Sequence, residues 1–164
     1  MSVLEAIFSF DGTHVGDLRD AVAGFDPSDG PVVIALCSSD EPSRRMAATW
    51  VVKSVLDRGL DPGLDVSVCF ARLAVETEPG AVLHILQLAQ HAPDAAGQYR
   101  TEVEALLNHD SLLVAVWALD ASVRIALETQ DGIDIARARV DAAFSHEKAS
   151  MRARARHLAR ILDL

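Results

Sequence analysis

The residues best suited to chemistry or recognition in this chain are a few histidines, tryptophans and acids within apolar segments. His84 and His91 lie seven positions apart, so on a helix they share one face. Their separation along the helix axis is then about 10.5 Å. One metal ion does not easily bridge that distance, even with Asp120 or His157 supplied by a neighbouring helix. We therefore expect no metal site.

The sequence contains none of the common catalytic motifs. It has no nucleophile elbow, no glycine-rich phosphate loop, no paired-cysteine zinc motif and no His-Glu-x-x-His. We accordingly predict a protein that is not an enzyme, has no catalytic residues and needs no cofactor.

Composition and charge narrow the class of protein. The chain has 164 residues, which suits one domain, and half of them are apolar while only 5% are aromatic. Abundant alanine favours helices that pack closely. The net charge of −9 makes a broad nucleic-acid surface unfavourable, although residues 137–164 carry seven bases and three acids.

The apolar segments and the cysteines indicate the compartment. No apolar run approaches the roughly 20 residues of a membrane-spanning helix, so no membrane partner is expected. Residues 1–14 lack the positive start of a signal peptide. Cys37 and Cys69 lie in apolar runs, which is typical of buried thiols, with a disulfide as the alternative. Together these features predict a cytoplasmic location.

Prolines, glycines and capping residues divide the chain into segments. Helices are expected at about 42–58, 79–91, 93–107, 111–129, 133–144 and 147–163, with a break at Asp131–Gly132. Two apolar segments are ambiguous. If 32–37 and 65–70 were both strands, residues 32–70 would form a βαβ unit. No further strands are available, however, and two parallel strands alone do not make a stable sheet, so an all-α fold is favoured.

Four segments of the chain repeat a common pattern, in which a turn or capping residue precedes a helix rich in alanine and aliphatics. Aligned on Arg45, Val82, Ala115 and Arg152, they are separated by 37, 33 and 37 residues. Two helices of about 14 residues with their turns fill such a step. Periods of 20 to 50 residues are typical of stacked repeat proteins.

The repeated segments resemble the bacterial HEAT-repeat consensus, an acidic turn followed by Val-Arg-x-x-Ala-Ala. The closest matches are DEPSRRMAA at Asp40–Ala48 and EKASMRARA at Glu147–Ala155, and NHDSLLVAVWALD at Asn108–Asp120 is similar to third-repeat segments of small HEAT proteins. The likeness covers roughly residues 40–164. It departs from the consensus where the arginine is replaced by Val82 and Ala115.

The resemblance implies an α-solenoid of about four HEAT-like helix-turn-helix repeats. We expect a single domain over residues 1–164, with atypical N-terminal helices in 1–30 and repeats in 31–164. In such folds, stacked helix pairs share a core and one helix of each pair lines a concave face. Members of this class include scaffolds, adaptors and regulators, so fold alone does not specify function.

Helical spacing separates a core column from a surface column. Positions three and six after each aligned residue are all apolar and should be buried: Ala48, Val51, Ile85, Leu88, Ala118, Ala121, Ala155 and Leu158. Positions two, five and nine after it form a polar and aromatic stripe. The predicted groove residues are Trp50, His84, Gln87, His91, Trp117, Asp120, Arg124, Arg154 and His157.

We predict that this stripe binds a protein or peptide partner, because Trp and Arg are frequent anchors of interfaces. The oligomeric state stays open. The alternative is a purely structural role, in which Trp50 and Trp117 are core residues and Asp120 and Arg124 form only an intrahelical pair.

A nucleic-acid-directed function is the main alternative. HEAT-like alkylpurine DNA glycosylases are similar in architecture and use tryptophans with an acid in a concave cleft, and Trp117 with Asp120 resembles that arrangement. The last helix adds a basic stripe, Lys148, Arg152, Arg156 and Arg160, opposite an apolar face. Those enzymes need a basic cleft, whereas this chain is acidic, so nucleic acid is not the expected partner. We expect the basic stripe to be the solvated outer face of a terminal helix that caps the stack of repeats.

Overall fold

A computed structural model describes residues 1–63, 65–129 and 132–163 of the chain. These residues contain helices and no strand, which confirms the all-α fold class. The helices are α1 (Val3–Phe8), α2 (Gly16–Val22), α3 (Gly30–Leu36), α4 (Pro42–Asp57), α5 (Ser67–Phe70), α6 (Pro79–Leu88), α7 (Pro93–Gly97), α8 (Arg100–Ala105), α9 (Leu112–Leu127), α10 (Gly132–Phe144) and α11 (Ala149–Ile161). In the same residues, no helix combines the length and apolar character needed to cross a membrane.

Prolines and acidic caps set the start of the main helices. Pro42, Pro79 and Pro93 each occupy the first helical position, where a missing N–H costs nothing. The Glu78 carboxylate accepts a hydrogen bond from the backbone N–H of Gly80 and so caps α6. Gly59, with a φ of 70°, ends α4 in the left-handed conformation that glycine adopts without strain.

The two ambiguous segments are helical. Residues 32–37 lie in α3 and its cap, and 67–70 form α5, followed by a 3-10 turn at Ala71–Ala74. The βαβ alternative is therefore wrong. The helix expected over 93–107 is broken into α7, α8 and a 3-10 turn at Leu106–Asn108.

Gly132 lies close to the last turn of α9. Asp131, part of the predicted break, lies outside the described residues, and Gly132, which was expected in the same break, is the first residue of α10. A Cβ at this position would stand 1.5 Å from the carbonyl oxygen of Ala126. Only glycine permits the chain to pass the end of α9 this closely.

The helices pack in two layers. The first layer is α4, α6, α9 and α11, each in contact with the next. The second layer places α3 on α4, α5 on α6, α7 and α8 on α9, and α10 on both α9 and α11. The N-terminal pair α1 and α2 packs on α4, beside the first layer. The four aligned segments thus supply the helices of a single layer.

The core runs through the first layer, and α9 is buried on two faces. Val114 and Ile125 contribute to a core shared with α1–α8, whereas Val116 and Val123 contribute to a second core with α10 and α11. This double burial explains why α9 is apolar almost all round. The predicted core column is confirmed, since all eight of its residues are 0% exposed: Ala48, Val51, Ile85, Leu88, Ala118, Ala121, Ala155 and Leu158.

A buried ion pair joins α4 to the segment before α6. The guanidinium of Arg45 donates to both carboxylate oxygens of Glu76 at 2.8 and 3.0 Å. Burial alone would raise the pKa of Glu76, but hydrogen bonds from Arg45 and from backbone N–H groups leave it lowered. Such a pair, once formed, is costly to break because it leaves an unpaired buried charge.

Both cysteines are free thiols in the core between α3 and α5. Cys37 is 1% exposed and Cys69 is 0% exposed, and their sulfurs lie 3.9 Å apart. The hydrogen bond between the two thiols, together with burial, raises the pKa of Cys37. The favoured interpretation of these residues as buried thiols is therefore confirmed.

Candidate partner-binding surface

The predicted stripe residues of α4, α6, α9 and α11 are, apart from Asp120, at least partly exposed. His91 and His157 are exposed, and six further stripe residues are half-buried: Trp50, His84, Gln87, Trp117, Arg124 and Arg154. Each helix of the first layer contributes at least one of them. The tryptophans are thus neither fully buried core residues nor free surface residues, although both also pack against the core.

Asp120 lies beneath this surface and not on it. Its residue is 1% exposed, and its two carboxylate oxygens accept from Arg124 Nε at 2.5 Å and from Arg154 Nη1 at 3.1 Å. The intrahelical pair with Arg124 follows from their four-residue spacing. The bond to Arg154 comes from the next helix of the layer. Asp120 therefore orients two partly exposed arginines while being buried itself.

Arg154 makes a second contact that orients its head group. Its guanidinium carbon stands 3.9 Å from the centroid of the Trp117 ring, in the geometry of a cation–π interaction. Arg154 is consequently held between an indole face and a carboxylate. An arginine fixed in this way loses less side-chain freedom when it contacts a ligand.

An open groove lies between α9 and α11 beside this pair. Its volume is about 420 Å³, and its walls include Leu113, Val116, Arg154 and His157. Leu113, at the start of α9, is 53% exposed. The groove combines apolar walls with a fixed cation.

The His84 side chain on α6 contacts Thr49 on α4. Its Nδ1 lies 3.2 Å from Thr49 Oγ1, and the Thr49 hydroxyl itself donates to the carbonyl of Arg45 at 2.9 Å. The same hydroxyl also lies 3.1 Å from the carbonyl of Met46. Burial lowers the pKa of His84 to about 4, and repulsion from Lys53 adds to the effect. The imidazole is therefore neutral at pH 7.

His91 belongs to a separate, more exposed cluster. Its Nε2 lies 2.9 Å from Asp57 Oδ1, while Lys53 Nζ lies 2.5 Å from Asp57 Oδ2. Burial opposes ionisation of Asp57, but the hydrogen bonds from Lys53 and His91 leave its pKa lowered. His84 and His91 thus have different partners. Among residues 1–63, 65–129 and 132–163, no group of three His, Cys, Asp or Glu side chains is arranged to hold a metal.

A pocket that the sequence did not predict adjoins Trp50 and His84. It has a volume of about 190 Å³ and is closed on one side by the segment after α1, which contributes Phe10 and Val15. Met46 of α4 completes the apolar wall. No local pattern in residues 10–15 indicates this role, because the segment reaches the pocket only through the packing of α1 and α2 on α4.

The basic stripe on α11 is not uniform. Lys148, Arg156 and Arg160 are exposed, but Arg152 donates from Nη1 to the carbonyls of His146 and Glu147, each at 2.7 Å. On the opposite face, the predicted apolar residues are all buried: Met151, Ala155, Leu158 and Leu162. Arg152 is therefore a structural residue. Lys148 pairs with Glu147 at 3.0 Å, whereas Arg156 and Arg160 are exposed and form no ion pair within the described part of the chain.

Comparison of the chain with protein-family models, with curated proteins and with solved structures finds no significant match. The function is therefore inferred from the contacts and exposure of the chain's own residues.

Proposed function

We propose that this chain is an α-solenoid of about four HEAT-like helix pairs and acts as a non-catalytic adaptor or scaffold in the cytoplasm. Its partner is a protein or peptide that lies along the stripe residues of α4, α6, α9 and α11. The observation that carries the proposal is the row of half-buried Trp, His, Gln and Arg side chains on those helices.

Two arginines at equivalent repeat positions make the same bonds, which supports the repeat assignment. Arg45 Nη1 donates to the carbonyls of Ser39 and Asp40 at 2.9 and 3.1 Å. Arg152 makes the corresponding bonds to residues six and five positions before it. In both places the arginine ties the preceding turn to the start of its helix. A shared consensus arginine with a shared role is what a repeat family would produce.

Contacts between neighbouring first-layer helices recur at nearly constant separation in sequence. Thr49 meets His84 across 35 residues, Asp57 meets His91 across 34, and Asp120 meets Arg154 across 34. A stack in which each unit contacts only its neighbours gives this constancy. The interval agrees with the 33 to 37 residues that separate the aligned segments.

The surface suits a polypeptide partner for physical reasons. Half-buried tryptophan and arginine have most of their conformational freedom already removed, so binding orders them at low entropic cost. These residue types also dominate the energetics of protein interfaces. The apolar groove beside Trp117 and Arg154 adds a place for a partner side chain.

The nucleic-acid alternative has less support from these contacts. A glycosylase-type acid must face its substrate, whereas Asp120 is 1% exposed and engaged by two arginines. Those arginines are in turn partly neutralised by Asp120, which weakens their attraction for phosphate.

Site-specific photo-cross-linking tests the proposal. A photoreactive residue is placed at Gln87 or His157 of the stripe, and at exposed Arg137 on α10 as the matched control. After irradiation in extract of the source cells, we expect a discrete polypeptide adduct from the first two positions only. Trp117→Ala should reduce its yield by at least tenfold, as loss of an anchor residue does.

Two outcomes contradict the proposal. One is an equal adduct from Arg137, which would place the interface on the second layer. The other is no polypeptide adduct from Gln87 and His157 while nucleic acid is recovered with the chain. Circular dichroism of Trp117→Ala shows whether the variant keeps its helical content.

A further inference from the structure

The guanidinium of Arg154 has one edge that no described residue occupies. Its Nη1 donates to Asp120 Oδ2 at 3.1 Å, and its central carbon lies over the Trp117 ring at 3.9 Å. Within residues 1–63, 65–129 and 132–163, Nε and Nη2 make no hydrogen bond, and neither is among the fully enclosed polar atoms. The two donors of this edge are therefore accessible, and the planar guanidinium holds them side by side.

A buried ion pair elsewhere in the chain shows what such an edge binds. Arg45 donates from Nε and Nη2 to the two carboxylate oxygens of Glu76 at 2.8 and 3.0 Å, while its Nη1 bonds backbone carbonyls. Arg154 likewise has its Nη1 engaged, by Asp120, but no described carboxylate lies on the other edge. The spacing of the two donors matches the two oxygens of a carboxylate, which forms a strong bidentate pair with arginine.

The charge balance around Asp120 favours an occupant with a single negative charge. The guanidiniums of Arg124 and Arg154 share the one carboxylate of Asp120, which leaves one positive charge uncompensated. The other polar side chains that line the groove between α9 and α11, Ser150 and His157, carry no negative charge. A carboxylate balances the remaining positive charge, whereas a phosphate group, with a charge of nearly −2, exceeds it.

The walls of the same groove favour an apolar group beside the carboxylate. Leu113 and Val116 of α9 and Ala153 of α11 border the volume of about 420 Å³. Leu113 is 53% exposed, so an apolar side chain that covers it removes hydrocarbon surface from water. An acidic residue alone would leave this surface wet.

We propose that the groove between α9 and α11 binds an acidic residue of the partner polypeptide, with its carboxylate on the Nε–Nη2 edge of Arg154 and an adjacent apolar side chain on Leu113. The proposal rests on the proposed function, because the acidic residue belongs to the polypeptide that lies along the stripe. Asp120 and Trp117 hold the guanidinium before the partner arrives, so the carboxylate meets donors that are already oriented.

Two blocked dipeptides of the same shape test the charge requirement on the full chain. N-acetyl-Leu-Glu-amide carries the carboxylate, and N-acetyl-Leu-Gln-amide replaces it with a neutral amide. Binding is followed by ¹H–¹⁵N correlation spectra. We expect the Glu peptide to shift signals of Leu113, Ala153, Arg154 and His157, and the Gln peptide to bind about fivefold more weakly. Raising the salt concentration to about 0.5 M should reduce this difference, because salt screens accessible charges.

Arg154→Gln removes the guanidinium, and Arg160→Gln is the matched control, since it removes an exposed charge of the same helix outside the groove. Binding of the Glu peptide should fall to the level of the Gln peptide in Arg154→Gln and stay unchanged in Arg160→Gln. The comparison of the two peptides on the unaltered chain does not depend on either variant folding. Equal binding of the two peptides, binding of neither, or shifts centred on Trp50 would overturn the proposal.

A third peptide and the cross-linking experiment separate the remaining alternatives. N-acetyl-Leu-phosphoserine-amide should bind no more tightly than the Glu peptide, and tighter binding would show that the groove takes a phosphorylated partner and that the carboxylate assignment is wrong. If cross-linking at His157 succeeds while the Glu peptide does not bind, the groove proposal fails alone and the proposed function stands. If the Glu peptide binds while Gln87 and His157 give no polypeptide adduct, the groove takes a carboxylate from another source, and its assignment to a partner polypeptide is wrong.

Discussion

Arg154 stacks on the indole ring of Trp117 at 3.9 Å, although 37 residues separate them in the chain. The same guanidinium donates to the carboxylate of Asp120, one helical turn further along α9. This geometry joins α9 to α11 and sets the direction in which Arg154 faces the groove. The orientation of the Arg124 and Arg154 side chains thus depends on the buried carboxylate of Asp120.

Replacing Asp120 with Asn should destabilise the chain by about 2 kcal/mol, because two charge-assisted hydrogen bonds lose their anionic acceptor. Urea unfolding at 25 °C measures the change. Asp141→Asn, at an exposed position of α10, is the control and should shift stability by less than about 0.5 kcal/mol. Similar small effects in both variants would show that Asp120 does not hold the two arginines.

Arg152→Gln and Arg156→Gln should have opposite effects on the melting temperature. Arg152 bonds two carbonyls of the turn before α11, so its loss should cost about 1 kcal/mol. Arg156 is exposed, and its removal relieves repulsion from like charges four residues away by a few tenths of a kcal/mol. Thermal unfolding followed by circular dichroism distinguishes them. A higher melting temperature in both variants would indicate that Arg152, like Arg156, is simply a solvated residue.

The stability of the chain should depend on pH through His84. Burial and the charge of Lys53 lower the pKa of His84 to about 4 from its ordinary 6.5, so the unfolded chain binds the proton more tightly. The unfolding free energy therefore falls as the pH decreases from about 6.5 towards 4. At about 1.4 kcal/mol per pKa unit, the loss between pH 7 and pH 5 is about 2 kcal/mol.

His84→Gln isolates this contribution, because every other titrating group is common to both proteins. The unaltered chain should lose about 2 kcal/mol more than His84→Gln when urea unfolding is repeated at pH 7 and pH 5. Parallel losses in the two proteins would mean that His84 titrates normally.

The two cysteines should resist alkylation in the folded chain. Both thiols are buried, and the pKa of Cys37 is raised by its thiol neighbour and by burial, so little thiolate is available. Iodoacetamide at pH 8 should label them on the order of a hundredfold more slowly than in urea. Mass spectrometry follows the adducts. Ser145→Cys, at an exposed turn, supplies a fast-reacting control, and equal rates at all three thiols would refute the buried arrangement.

Regular spacing made the first layer and its core predictable. The eight positions from Ala48 to Leu158 follow from apolar residues placed three and six after each aligned residue, because a helix buries one continuous face. The pairing of Asp120 with Arg124 followed for a similar reason, since residues four apart on a helix are neighbours. Prolines and caps located α4, α6, α9 and α11 within a few residues.

Other features depended on contacts between residues that are distant in the chain. The segment 32–37 is apolar enough for a strand or a helix, and packing of α3 on α4 decides in favour of a helix. Asp120 is buried because Arg154 covers it from α11, which no local pattern indicates. The pocket beside Trp50 exists because α1 and α2 pack on α4 and bring Phe10 and Val15 to His84. The sequence by itself determined where this chain is apolar and how its helices repeat. Tertiary packing alone decided which polar groups are covered, because burial depends on the neighbours that each helix acquires.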